Sequence, residues 1–237
     1  MSAVDRSPLI STVIPCHNGG RYLGEAVESI LGQRYPAIEI IVIDDGSTDD
    51  SREVATGFGS AIRYRHQPQS GAAAARNRGI EMADGEFLAF LDADDLWTAG
   101  KLAKQMAAFE ADPSLEIVAG HAEQFVSPEL PEEARVRVRV DPGKLPAQLP
   151  GALLVRRHAF DRVGAYAARF VTASELDWFA RATDLGVRIL TLPDVVLRRR
   201  IHTTNHGLLR RDARQDYVRM VKAALDRRRD ASRATGV

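Results

Sequence analysis

A single cysteine, Cys16, occurs in 237 residues, so the sequence offers no internal disulfide and no thiolate set with zinc-site spacing. An excess of one charge is missing too: Lys and Arg total 32, Asp and Glu total 32, and the formal net charge is zero. A balanced chain has no global field to gather nucleic acid or an anionic membrane. No window approaches the roughly 20 apolar residues that cross a bilayer, and even the apolar run IEIIVI carries Glu39. The opening MSAVDRSPLIS lacks the basic start and apolar core of a secretory leader. Gly57-x-Gly59 runs on to Ile62 and makes no dinucleotide fingerprint, and no Walker loop occurs. The expectation left is a soluble, cytoplasmic chain forming one globular domain, or one domain with a small appendage, for which 45% hydrophobic composition suffices.

What is present is alternation. STVIP reads as a short buried strand, and Tyr22, Leu23, Ala26, Val27, Ile30 and Leu31 then recur at helical spacing until Pro36. IEIIVI is a second strand, SREVATGF a short helix, AIRYRH a third strand, AAAARNRGIEMA a helix closed by Gly85, and EFLAFL a fourth strand. Strand and helix in turn predict βαβ units, hence an α/β fold with a largely parallel sheet covered by helices on both faces. Beyond Asp95 come a helix, KLAKQMAAFEA, stopped by Pro113, and one or two strands in LEIVAGHAEQFV. Residues 127–150 hold Pro128, Pro131, Pro142, Pro146 and Pro150 around the alternating RVRVRV, which predicts a loop or an edge hairpin. GALLVRRHAFDRV resumes regular structure, SELDWFARATDLG is an amphipathic helix, and LPDVVLRRRIH reads as a last strand. In the tail Ala213, Tyr217, Met220, Val221 and Ala224 share a helical face ahead of the basic stretch LDRRRDASRA.

Three predicted strands end in polar clusters: Cys16-His17-Asn18-Gly19, Asp44-Asp45-Gly46-Ser47, and Asp92-Ala93-Asp94-Asp95. Ligands of open α/β sheets bind outside the carboxyl ends of the strands, so parallel strands would bring all three to one rim. DDGSTDDS on its own also reads as a turn with caps for the next helix. Three aspartates crowded behind FLAFL are different, because like charges repel and resist losing water. A cation or several donors should offset that cost.

The stretches VIPCHNGGRYLGEAVESILGQRYPAIEIIVIDDGSTDDS, SGAAAARNRG with GEFLAFLDADD, GALLVRRHAF, and ELDWFAR followed by RRRIH resemble, in order and spacing, a family 2 glycosyltransferase of GT-A fold. The likeness runs from about Ser11 to about Gly207. It implies a Rossmann-like, mostly parallel sheet with a smaller acceptor-side subregion. It also implies a UDP-, GDP- or dTDP-sugar donor and inverting transfer. Residues 1–110 would be the donor-binding half, 111–210 the acceptor-binding and catalytic half, and 211–237 a C-terminal amphipathic helix and basic tail. Asp45 matches the family position that binds the nucleobase, with Asp44 beside it, and Pro15 and Asn18 match the loop around the nucleoside. Asp92 and Asp94 match the DxD motif around Ala93, whose first acid faces the ribose and whose second binds a divalent metal, Mg²⁺ or Mn²⁺; Asp95 could share either task. A metal held by carboxylate oxygens bridges the phosphates and offsets the repulsion among these acids.

Arg76, after the flexible Ser70-Gly71, is a candidate cation for the phosphates or a solvated helix residue. His202 matches a late position near metal and diphosphate; a structural role is the alternative. The general base of the family is a carboxylate on a short helix. Counted from Arg181 it falls on Glu175, counted from Trp178 on Asp177. A helix puts 175 and 177 on different faces, and a base elsewhere is the third possibility; Glu175 is narrowly favoured. Trp97, Trp178 and Phe179 are expected in the core or the acceptor wall. The tail invites contact with anionic lipid or stands as a solvated helix end. The rival functions are a haloacid-dehalogenase-type phosphohydrolase, suggested by FLAFLDADD with Asp92 as nucleophile, and a non-catalytic sugar-nucleotide binder. The acceptor is not legible.

Overall fold

The computed structural model describes residues 7–130, 133, 143–145, 149–202 and 213–235. Strand β1 (Ile10–Cys16) leads into helix α1 (Gly20–Leu31), followed by β2 (Ile38–Asp45), α2 (Ser51–Gly57), β3 (Arg63–Gln67), α3 (Ala72–Met82) and β4 (Phe87–Phe90). Then come β5 (Leu96–Trp97), α4 (Lys101–Ala111), β6 (Ile117–Val126), β7 (Leu153–Arg156), α5 (Arg157–Val163), α6 (Ser174–Asp184), β8 (Ile189–Ile201) and α7 (Ala213–Thr235).

One eight-stranded sheet runs β3-β2-β1-β4-β7-β6-β8-β5. β1 pairs parallel with β2 and β4, and β2 with β3; β7 lies antiparallel between β4 and β6, and β6 and β8 run parallel again. The sheet is the mostly parallel α/β one expected. Every residue of β1 is buried, as a strand covered on both faces must be. Ile10, Ile14, Ile40 and Val42 turn to one face with Leu23, Val27 and Ile30 of α1, while Val13, Ile41 and Ile43 turn to the other with Ala75 of α3 and Trp178 of α6. Alternate positions thus supply two cores, one on each side of the sheet. Trp97 and Trp178 are both buried in them, each indole N–H donating to a backbone carbonyl, of Gly151 and Gly164 respectively.

Gly79 of α3 lets helix and sheet approach closely, since a Cβ there would stand 2.2 Å from Cγ1 of Val13. LEIVAGHAEQFV forms one ten-residue strand, β6. The last strand, β8, begins before LPDVV, at Ile189, and is 13 residues long. Its pairing with β6 slips between Ala119 and His121 and again between His121 and Ala122, where a bulge or similar irregularity interrupts the ladder. Its second half receives β5 across an antiparallel pair, Leu96 with Arg198 and Trp97 with Leu197. Of the expected loop or hairpin at 127–150, residues 131–132, 134–142 and 146–148 lie outside the described residues; Leu145 forms an isolated antiparallel bridge with Ala122.

Candidate active site

The register of β1 against β2 sets Cys16 beside Asp44, so both strands stop at the same level. Pro15 is still in the strand, opposite Ile43. Immediately beyond, Asn18 takes a positive φ of 51°. Its N–H donates to Ser47 Oγ, and its Oδ1 accepts from the Thr48 N–H. Short polar side chains tolerate this left-handed backbone, and here the turn locks the first loop onto the second. Asp44 is buried, accepting from Ser47 N–H and from the Tyr64 hydroxyl. Burial opposes its ionisation, but those bonds outweigh it and hold its carboxyl below the ordinary range. Asp45 accepts from Gln67 Nε2 and the Ser70 N–H on one oxygen and from the Gly71 N–H on the other. It therefore orders the loop that starts α3. The β3 glutamine was invisible as a partner in the sequence, since only strand register sets Gln67 against Asp45.

β4 delivers the third cluster. Leu91 N–H still donates to Val13 O, and the chain then leaves the sheet through Asp92, Ala93, Asp94 and Asp95. Ala93 packs under this turn; a Cβ on Gly19 would lie 3.1 Å from its methyl. The carboxylates of Asp92, Asp94 and Asp95 each offer an oxygen within 4.8 Å of the others. That is a hard-oxygen set at a spacing one divalent cation can bridge. Burial, then the charges of Asp94 and Asp92, push the Asp95 carboxyl well above its usual range. Carboxylates this close repel one another, and a cation would relieve that repulsion. Asp95 accepts from the Arg200 backbone N–H, while Arg200 Nε donates to Asp94 O. His202, buried, sets Nε2 2.9 Å from Asp94 Oδ2 and packs its ring 4.8 Å from that of Tyr22. Arg200 also reaches Glu25 on α1, and its guanidinium lies against the rings of Tyr22 and Phe125. This bracing by Arg200 and Tyr22 was not foreseen in the sequence; the only hint was a basic run beside a predicted last strand.

Arg76 joins the acids to the far half of the chain. Its side chain is 4% exposed, donates to Asp92 Oδ1 at 2.6 Å and pairs with Glu175 Oε1. It lies over the Tyr166 ring, and its Nε is buried with no hydrogen-bond partner. Burial lowers the basicity of a guanidinium, yet Asp92 and Glu175 outweigh it and hold Arg76 more firmly protonated than usual. Asp177 faces away from this junction. It is fully buried, one oxygen taken by Arg181 Nε and the other by Arg227 on α7, both at 2.9 Å. The helix thus separates the two acids as its period requires, with Glu175 on the rim beside Arg76 and Asp177 against α7.

The sequence pattern of glycosyl transferase family 2 matches residues 11–170. The chain belongs to that family. Glycosyltransferase GlyG of Streptococcus pneumoniae serotype 4 is 49% identical over 94 residues, 38% of this chain and 31% of GlyG. The chain therefore matches about a third of that relative's length. Among solved structures, Staphylococcus aureus TarS 1–349 in complex with UDP-GlcNAc superposes with a TM-score of 0.73 at 18% identity, over 91% of this chain and 65% of TarS. The mannosyltransferase PcManGT of Pyrobaculum calidifontis, in complex with GDP-Man and Mn²⁺, gives 0.71 at 23% identity, over 94% of this chain and 65% of its own. The family 2 chain thus has the GT-A fold, with β6, β7 and β8 extending the sheet beside the acid loop.

Proposed function

We propose that this chain is an inverting glycosyltransferase that moves a sugar from a nucleoside diphosphate to an acceptor hydroxyl or similar nucleophile, with a divalent metal and Glu175 as general base. The observation carrying the reading is the Arg76 junction, where one guanidinium holds both Asp92 of the acid loop and Glu175 of α6. A base must stand within hydrogen-bond reach of the proton it removes, close to the anomeric carbon. The junction keeps Glu175 beside the acids that would face the diphosphate. The bound TarS and PcManGT complexes, with UDP-GlcNAc and with GDP-Man and Mn²⁺, support a nucleotide-sugar donor here.

Asp94, Asp92 and Asp95, with His202 beside Asp94, would hold Mg²⁺ or Mn²⁺, which would stabilise negative charge on the departing diphosphate. Asp45 and Asn18 order the two loops around the base and ribose pocket, with Pro15 and Asp44 as its floor. Glu175 takes the proton of the acceptor as its oxygen attacks the sugar from the face opposite the diphosphate, so the anomeric configuration inverts. Arg76 steadies both charged sides of that pocket. Asp177, tied to Arg181 and Arg227, anchors the helix that presents Glu175.

Membership of the family removes the phosphohydrolase alternative. The test is donor turnover with Mn²⁺ across UDP-, GDP- and dTDP-sugars. Release of nucleoside diphosphate with inversion at the sugar supports the reading. Retention of configuration overturns it, and tight donor binding without turnover on any acceptor or water points to a sugar-nucleotide binder instead.

A further inference from the structure

Helix α7 carries one broad apolar side, and among the described residues only its Met220 and Ala224 edge packs on the fold. The inner face sets Met220 against Phe170 and Ala173 and sends Arg227 to Asp177. On the outer side Tyr217, Val218, Val221 and Leu225 are 41, 69, 50 and 59% exposed. Spacings of four residues from Tyr217 to Val221 to Leu225 align them along the helix for about 12 Å, at 1.5 Å per residue. The stripe continues past both ends of the helix contact. Asp216 accepts from the backbone N–H of Val171, itself 57% exposed, and Arg228 pairs with Asp184 next to Leu185, 50% exposed. An apolar line of this kind is uncommon on a surface with no partner.

Its border is basic. Arg228 and Arg229 stand three and four residues beyond Leu225, and Lys222 stands four beyond Val218 and three before Leu225. Seven basic and three acidic residues occupy 213–235. Asp216 is turned inward, Arg229 lies between Asp226 and Asp230, and Arg227 and Arg228 pair with Asp177 and Asp184 of α6, so the helix keeps a modest basic excess to which Lys222 contributes on the exposed side. A two-fold dimer through this stripe would set the basic border against itself. An anionic surface is its complement: the stripe enters the acyl boundary while Lys and Arg stems extend to the headgroups.

We propose that the exposed face of α7, with Val171 and Leu185 at its ends, docks the protein on an anionic lipid bilayer. Outside 213–235 the chain holds 25 basic and 29 acidic residues, an acidic balance that gives no long-range attraction to an anionic surface, so the contact is local. Val171 precedes Glu175 by four residues, and docking there brings the rim of the active site to the lipid surface.

The full chain is tested by co-sedimentation with phosphatidylcholine vesicles and with vesicles that also contain phosphatidylglycerol, at low and high salt. Retention on the anionic vesicles, weakened by salt, is expected. The double substitution Val221→Asp and Leu225→Asp should reduce it about tenfold or more, since each withdraws a buried apolar side chain. Lys222→Glu with Arg229→Glu should abolish the preference for anionic lipid. All these positions are exposed, and an unchanged unfolding midpoint verifies intact folding. No retention on either vesicle, equal retention on both, or undiminished retention of the Asp variant overturns the proposal. So does a dimer in sedimentation velocity that the Asp variant dissolves, which would make a second copy the occupant.

Discussion

Asp94 and Glu175 carry different parts of the proposed chemistry, so their loss should be separable. Asp94→Ala removes a proposed metal ligand and should abolish the Mn²⁺ dependence of both donor binding and turnover, read by calorimetry and product release. Glu175→Gln should leave donor binding within a few-fold and lower turnover by about 10²–10⁴, the usual worth of a general base. Unchanged turnover in that variant would move the base elsewhere. Cys16, beside Asp44, gives a pH prediction of its own. Burial first, then the charges of Asp44 and Asp49, raise its thiol to about 11. Its neutral form is favoured by folding, so this contribution to stability is complete below the unfolded thiol value and is lost as pH rises through about 11. Alkylation at pH 8 should accordingly be far slower in the native chain than in the denatured one.

At the scale of elements, α6 and α7 are one unit. Arg227→Ala would leave the fully buried Asp177 with Arg181 alone. A loss of about 1–3 kcal/mol, seen as a lower urea midpoint, is expected. Gly79→Ala would force a methyl into Val13 of the central strand, an overpacking worth about 1–3 kcal/mol by the same measurement.

These elements differ in how plainly the sequence announced them. β1, β2 and β4 were legible because strands covered on both faces read as unbroken apolar runs, and α1 and α6 because one face is apolar at helical spacing. β5 was not, since two residues carry no period and the strand exists only through its partner β8. The acid clusters were legible as motifs, and parallel register brings their strand ends to one rim. What could not be read was the Arg76–Glu175 pair, whose members are 99 residues apart, or that Asp177 is held by an arginine from the tail. Side-chain pairing across such distances depends on how the elements pack.

For the whole molecule the proposed donor and metal should act as folding ligands. With Mn²⁺ present, the matching nucleotide sugar at about 100 times its dissociation constant should add about 2.7 kcal/mol. For a chain of this size that is a rise of roughly 5–10 °C in Tm, and the sugar nucleotide giving the largest rise identifies the donor. Asp94→Ala should remove the metal-dependent part of the rise.

The sheet order puts β7, β6 and β8 between β4 and β5, yet only residues 91–95 join those two strands along the chain. Ladder bonds and five residues of backbone together close a hoop, and the three aspartates are its clasp. A clasp cannot slacken on one side alone: an extra residue between Leu91 and Asp95, or a straightened β8, would spread all three acids at once.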